Sequence, residues 1–287
     1  MSEAITSLTQ KGIFIFDSEA EAVQAAILMH DIGHGPFSHV LENTLIHGIS
    51  HEEISLMMME KMNREMKGML TLAINIFKDR YPKRFLHQLI SSQLDMDRLD
   101  YLRRDSFYTG VTEGNIGSAR IIKMLNVVDD NLVVDSKGIY SIENYLTSRR
   151  LMYWQVYLHK TTVAYEKLLI NLLKRAKHLA NEGHNLFAPP ALHYFLYNHI
   201  DRETFLSREE ALTNYELLDD NDIWSSVKVW MSHEDKILSL LSRSLIERKI
   251  FKVEVRNEPI PKEEMTALLG NIANATGLTP EDASYLM

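Results

Sequence analysis

Apolar positions recur with helical spacing through the first two thirds of the chain. Val23, Ala26, Ile27 and His30 follow the i, i+3, i+4, i+7 rule, with Ser18 and Glu21 spaced as a capping box and Gly33 as a stop. This predicts a helix whose buried face carries His30 at its C-terminal end. A second box, Ser50 to Glu53, opens a Met-rich helix with Ile54, Met57, Met58 and Met62 inward and His51 in the first turn. After Pro82 a third pattern, Leu86, Leu89, Ile90 and Leu94, predicts a helix running on through Asp95 to Arg104.

Val133 and Val134 before Asp135-Ser136-Lys137-Gly138 predict a short β-hairpin over 132–140. Neither Gly nor Pro occurs between Gly138 and Gly183, so a long helix, broken once, is expected there. Shorter helices follow, one of them capped by Asp235. Phe251 to Val255 then alternates like a strand. Ile5 and Leu8 look like the tail of a helix whose start is absent or, on periodicity alone, an ordinary ragged N-terminus, and Thr279-Pro280-Glu281-Asp282 announces a helix that the chain cuts off. Trp154 and Trp230 are expected between helices.

Composition narrows the class. At 287 residues, 45% hydrophobic and 24% charged, the chain is globular and long enough for one large domain or two ordinary ones. The absence of cysteine excludes disulfides, thiolate zinc sites and a cysteine nucleophile. No apolar run approaches a membrane span, and the chain is expected to be cytoplasmic. With 31 Lys+Arg against 39 Asp+Glu the net charge is −8, so there is no strong nucleic-acid signal. Any site for a phosphate must gather its cations locally or use a metal.

The chemistry concentrates in two segments. His30-Asp31-Ile32-Gly33-His34-Gly35-Pro36-Phe37-Ser38-His39 places three histidines and an aspartate among turn-forming glycines, a composition suited to a divalent metal and phosphate. A His-Asp dipeptide alone is also an ordinary structural pair; the Gly-His-Gly-Pro that follows shifts the balance. In the second segment, Asp97, Tyr101 and Asp105 share one helical face with Arg98 beside it. From spacing alone that face reads first as solvated salt bridges, and only together with the His-Asp segment as a site.

Together these segments resemble the HD superfamily of metal-dependent phosphohydrolases. More narrowly, the run from His30 to His39, Ser50-His51-Glu52 and Asp95-Met96-Asp97-Arg98-Leu99-Asp100-Tyr101 resemble its deoxynucleoside triphosphate triphosphohydrolase branch, over roughly residues 19–160. The resemblance implies a mainly α fold: an HD-domain helical bundle over 1–182 with a small β-hairpin, then a C-terminal α+β region over 183–287. It implies a divalent ion (Mn, Fe, Mg or Zn) on His30, Asp31 and Asp97, and His51 as general acid with Glu42 as its carboxylate partner, where the family more often has Asp. It places His34 and His39 at the α-phosphate. Arg98 stands where a phosphate-contacting lysine is common, and Tyr101 and Asp105 where the deoxyribose is held. On the long helix Arg149, Tyr153 and Tyr157, followed by Lys160, resemble the segment that grips the terminal phosphate and packs on the sugar. The implied partners are a deoxynucleoside triphosphate, dGTP favoured, and further copies of the chain in a homo-oligomer.

One departure stands against these matches. The family carries another metal-ligating histidine upstream, in an Arg-Phe-x-His-Ser-like motif, and no histidine precedes His30. The site then has three protein ligands, and the chain is expected to lack the N-terminal part of its domain. The alternatives are a nucleotide-binding protein that has lost the ligand and its activity, or an HD phosphohydrolase or phosphodiesterase for another nucleotide.

Overall fold

The computed structural model describes every residue except Asn257, and leaves out the side chains of Ser38, His39 and Asn43. The fold is mainly α, as expected. Among the described residues, four short strands, β1 (Ile46–His47), β2 (Leu125–Val128), β3 (Asn131–Val134) and β4 (Ile200–Asp201), form two two-stranded sheets. Two compact units divide the chain: residues 1–33 with 51–159, and residues 34–50 with 160–287. This division falls before the long helix after residue 159, whereas the sequence expectation drew its line after it, at 182.

The first unit holds α1 (Ser2–Gln10), α2 (Asp17–Met29), α3 (His51–Glu65), α4 (Thr71–Phe77), α5 (Arg84–Gln88), α6 (Met96–Thr109), α7 (Ser118–Met124) and α8 (Ile139–Met152). Its core joins Leu8, Val23, Ala26, Ile76, Leu86, Leu102, Ile121 and Tyr145. α2 starts one residue before Ser18, and its cap differs from the predicted box: the Phe16 N–H donates to Glu19 at 2.9 Å. Glu19 is buried yet satisfied, since Tyr81 and Lys83 also donate to it.

Two other expectations are corrected here. The third helix is two helices, because the Asp95 side chain accepts the Arg98 N–H at 2.7 Å and so starts α6 afresh. The hairpin lies one strand earlier than predicted, with β2 antiparallel to β3 and register Val128↔Asn131. Its tip, Asp129-Asp130, has φ of 48° and 63°, the paired left-handed conformation of a two-residue hairpin loop, which Asp tolerates better than most residues. Residues 135–138, predicted as the turn, instead lead into α8.

The second unit holds α9 (Lys160–Asn181), α10 (Pro190–Tyr197), α11 (Arg202–Ser207), α12 (Glu209–Leu217), α13 (Asp220–Trp230), α14 (Lys236–Ile246), α15 (Lys262–Thr276) and α16 (Pro280–Ala283). α9 buries Leu168, Leu169, Leu172, Leu173, Ala176 and Leu179 along one stripe, and packs on α10 and α14. Trp230 is buried and donates its indole N–H to the Phe187 carbonyl at 2.9 Å, whereas Trp154, expected between helices, is 54% exposed. Phe251 to Val255, expected as a strand, forms no regular element and pairs with no strand among the described residues. Among the described residues, no helix is long and apolar enough to cross a membrane.

An ion triad around the buried Arg175 ties the second unit together. Arg175 on α9 donates to Asp235, the N-cap of α14, at 2.6 and 3.1 Å, and to Asp282 on α16 at 3.0 Å. Burial raises the Asp235 carboxyl, but Arg175 and the Leu238 N–H outweigh it and hold it below its ordinary 3.8. Truncating Arg175 strands two carboxylates, and we expect Arg175→Ala to cost about 3–5 kcal/mol in urea unfolding. A depressed carboxylate stabilises above its unfolded pKa and loses that contribution as pH falls through the folded value. Stability should therefore decline below about pH 4, and less steeply in Asp235→Asn, measured by thermal melts across pH.

Candidate active site

Helix α2 ends at its C-cap, His30, where the chain turns and brings the imidazole back over the helix end. His30 Nδ1 lies 2.7 Å from the Ile27 carbonyl. A carbonyl only accepts, so Nδ1 carries a proton and Nε2 is the atom presented outward. Nε2 faces Asp31 Oδ2 at 3.3 Å and Asp97 Oδ1, from the first turn of α6, at 3.7 Å. Ligand atoms of the three residues all lie within 4.8 Å of one another. Burial disfavours the imidazolium, but the carboxylates of Asp97 and Asp31 and the Ile27 carbonyl outweigh it and lift His30 to about 9.

This donor set fits a divalent ion. One imidazole nitrogen with its tautomer fixed by a carbonyl, and two carboxylate oxygens, are ligands for Mn, Fe, Mg or Zn.

His51, the first residue of α3, has a ligand atom within 4.8 Å of Asp31. Gly33 sets this approach. Its N–H donates to Ser55 Oγ at 2.9 Å, and a Cβ built on it would lie 2.2 Å from the His51 carbonyl and 2.3 Å from the Ser55 nitrogen. Only glycine lets the turn after α2 sit on the first turn of α3. On α3 Ile54 is buried as its spacing predicts, and Ser55 and Met59 are buried with it, whereas Met57 and Met58 are half-buried and Met62 is exposed.

On α6 the stripe Asp97, Tyr101, Asp105 is half-buried on one face, as its spacing predicts. Tyr157 donates to Asp105 Oδ2 at 2.6 Å, which with burial pushes the phenol well above its usual range. Tyr157 and Tyr153 belong to a π turn, Tyr153–Tyr157, that continues α8 and closes with the Leu158 N–H on the Tyr153 carbonyl at 2.7 Å. Their rings stand edge to face, as do those of Tyr157 and Tyr101. Arg149 lies 5.9 Å from the Tyr153 ring centre and donates to Gln93 Oε1 at 3.1 Å. Burial, with help from Tyr153 and against Arg98 and Arg149, raises the Tyr101 phenol to about 12.

The sequence reading missed three residues of this cluster. Asp95 is fully buried, accepts the Ser92 and Arg98 N–H groups, and takes the Arg98 guanidinium at 2.6 Å. Arg98 is thus already paired through one nitrogen, while its Nε is buried with no hydrogen-bond partner. Gln93 accepts from Arg149 by its side chain and from the Tyr145 hydroxyl by its carbonyl at 2.8 Å. Asp95 carried a usable signal, an aspartate three residues before Arg98. Tyr145 and Gln93 carried none.

The remaining expected site residues, His34, Glu42 and Lys160, belong to the second unit, and the side chain of His39 lies outside the described residues. Within that unit the His34 loop rests on Tyr215: a Cβ on Gly35 would lie 2.8 Å from its hydroxyl. Burial, together with the nearby Glu42, raises the Tyr215 phenol, while the Gly35 N–H lowers it.

The HD domain profile matches residues 5–105, and that of the HD associated region matches residues 116–186. A crystal structure of a phosphohydrolase from Bacteroides thetaiotaomicron superposes with a TM-score of 0.95 at 69% identity, covering 99% of this chain and 70% of that one. The chain belongs to the HD superfamily of phosphohydrolases. It is 34% identical to the uncharacterized protein YwfO of Bacillus subtilis, over 92% of this chain and 60% of YwfO. It is also 27% identical to the deoxynucleoside triphosphate triphosphohydrolase SAMHD1 homolog of Dictyostelium discoideum, over 59% of this chain and 36% of that protein. The chain thus spans less than two thirds of the length of these curated relatives.

Tyr157→Phe removes the bond to Asp105 without changing ring packing. We expect a loss of about 1–2 kcal/mol in denaturant unfolding, a charged hydrogen bond discounted for partial exposure.

Proposed function

We propose that this protein hydrolyses deoxynucleoside triphosphates at the α-phosphate, releasing the deoxynucleoside and inorganic triphosphate. The observation that carries this reading is the convergence, within one unit, of the His30, Asp31 and Asp97 ligand set with the Tyr101, Asp105 and Tyr157 cluster. A divalent ion, when bound, supplies Lewis acidity and a water acidic enough to attack near neutral pH.

The chain's own residues supply the rest. His30 is held by Ile27 so that Nε2 faces the ligand position. His51, beside Asp31, donates the proton that the departing 5′-oxygen needs. Asp105, positioned by the Tyr157 hydroxyl, accepts the 3′-hydroxyl of the sugar, and the Tyr101 ring packs against the deoxyribose. Arg149 and Arg98 offset phosphate charge in a chain whose net charge is −8. The roles that family resemblance implies for His34 and His39 at the α-phosphate, for Glu42 as partner of His51, and for Lys160 rest on the sequence.

The deciding experiment incubates the protein with dGTP, and then the other common deoxynucleoside triphosphates, in Mn²⁺ and follows phosphorus by NMR. We expect inorganic triphosphate from the wild type. Asp97→Ala should abolish both metal uptake and triphosphate release, while Asp100→Ala, on the exposed side of α6, changes neither. Metal bound through His30 and Asp97 without triphosphate from any of these substrates overturns the reading.

A further inference from the structure

Within the second unit lies an open cavity of about 1010 Å³, at the upper end of the range of small-molecule sites. Its floor is apolar, with Val40, Leu169 and Leu245 beneath the rings of Phe37 and Trp224, which meet edge to face at 5.5 Å. Two cations, Lys228 and Arg248, stand on its wall with the single carboxylate of Glu166. Neither cation is engaged by a carboxylate among the described residues, and both are exposed. Two of the non-glycine residues with left-handed backbone line it, Phe37 at φ 54° and Arg248 at φ 58°. Such conformations are uncommon and disfavoured for bulky side chains, so the fold must hold them in place. The Phe37 N–H is held by Asp220 Oδ1, the first residue of α13, at 3.1 Å, which keeps the ring against Trp224 on the same helix.

We infer that this cavity is a binding site for an amphipathic organic anion, a molecule with an aromatic or long-chain apolar body and one carboxylate, sulfonate or phosphate-ester head. Charge decides the class. Two cations against one carboxylate leave a single net positive charge, enough for a mono- or dianionic head and too little for a triphosphate without a metal. The body is decided by the floor, where burying an apolar chain or ring against Phe37, Leu169 and Trp224 provides the main driving force. The inference is independent of the reaction proposed above, since it uses none of the residues assigned to that reaction.

The probe is 8-anilinonaphthalene-1-sulfonate, whose fluorescence rises in apolar sites, compared with the neutral N-phenyl-1-naphthylamine. We expect saturable binding of one sulfonate per chain, displaced by dodecanoate. Lys228→Glu with Arg248→Glu, both at exposed positions, should weaken the sulfonate about tenfold or more and leave the neutral probe within about twofold. Trp224→Leu should weaken both. Thermal melts of each variant confirm that the fold is intact. Non-saturable binding, or binding indifferent to all three substitutions in folded protein, overturns the site. Displacement by a deoxynucleoside triphosphate but not by dodecanoate overturns the ligand class.

Discussion

The first unit's chemistry depends on one buried carboxylate. Asp95 has no exposed surface, and burial raises its pKa despite the N–H groups of Ser92 and Arg98 and the Arg98 guanidinium that favour its charge. Such a group is tolerated only where its bonds are complete, so its position is fixed within a narrow range. Because it also caps α6, it fixes where that helix begins and which way its first turn faces. Asp97 then points at His30, and Tyr101 and Asp105 follow at one-turn intervals. A helix started one residue earlier or later would carry the same amino acids facing elsewhere.

The other half of the arrangement is set by a missing atom. Gly33 allows α3 to approach so closely that a methyl group would overlap its first turn. This contact, rather than the capping box or the methionine pattern, determines where His51 sits relative to Asp31. The two constraints are of opposite kinds, one a saturated polar cap and the other a steric permission. Together they join residues separated by as many as 67 positions, from His30 to Asp97, into one cluster.

Much of this was legible in the sequence, because helical periodicity and the order of His30-Asp31, His51 and Asp97 are local patterns. The mainly α fold followed from them, and so did the common face of Asp97, Tyr101 and Asp105. What was not legible depended on tertiary partners. Leu86 to Arg104 keeps an apolar rhythm across the break between Gln88 and Met96, so periodicity alone runs the two helices together. Val133 and Val134 marked a strand correctly, but its partner was the less conspicuous Leu125–Val128, and the tip was Asp-Asp rather than the glycine-bearing turn. Met62 lies on the apolar stripe of its helix by spacing, yet only the start of that stripe, at Ile54, is fully covered, and Met62 reaches solvent. Phe251 to Val255 alternates as a strand does, and alternation cannot supply a partner.

The π turn at Tyr153–Tyr157 has a consequence for how this segment can vary. A turn closed five residues apart is what remains when one residue is added to a regular α-helix without lengthening its flanks. Removing a residue there would restore ordinary α geometry and swing Tyr157 by about 100° relative to Arg149. Single-residue insertions and deletions at this point are therefore changes of aim rather than of length. Two homologues differing by one residue here could keep every side chain of the cluster and still present a different set of them to the same ligand.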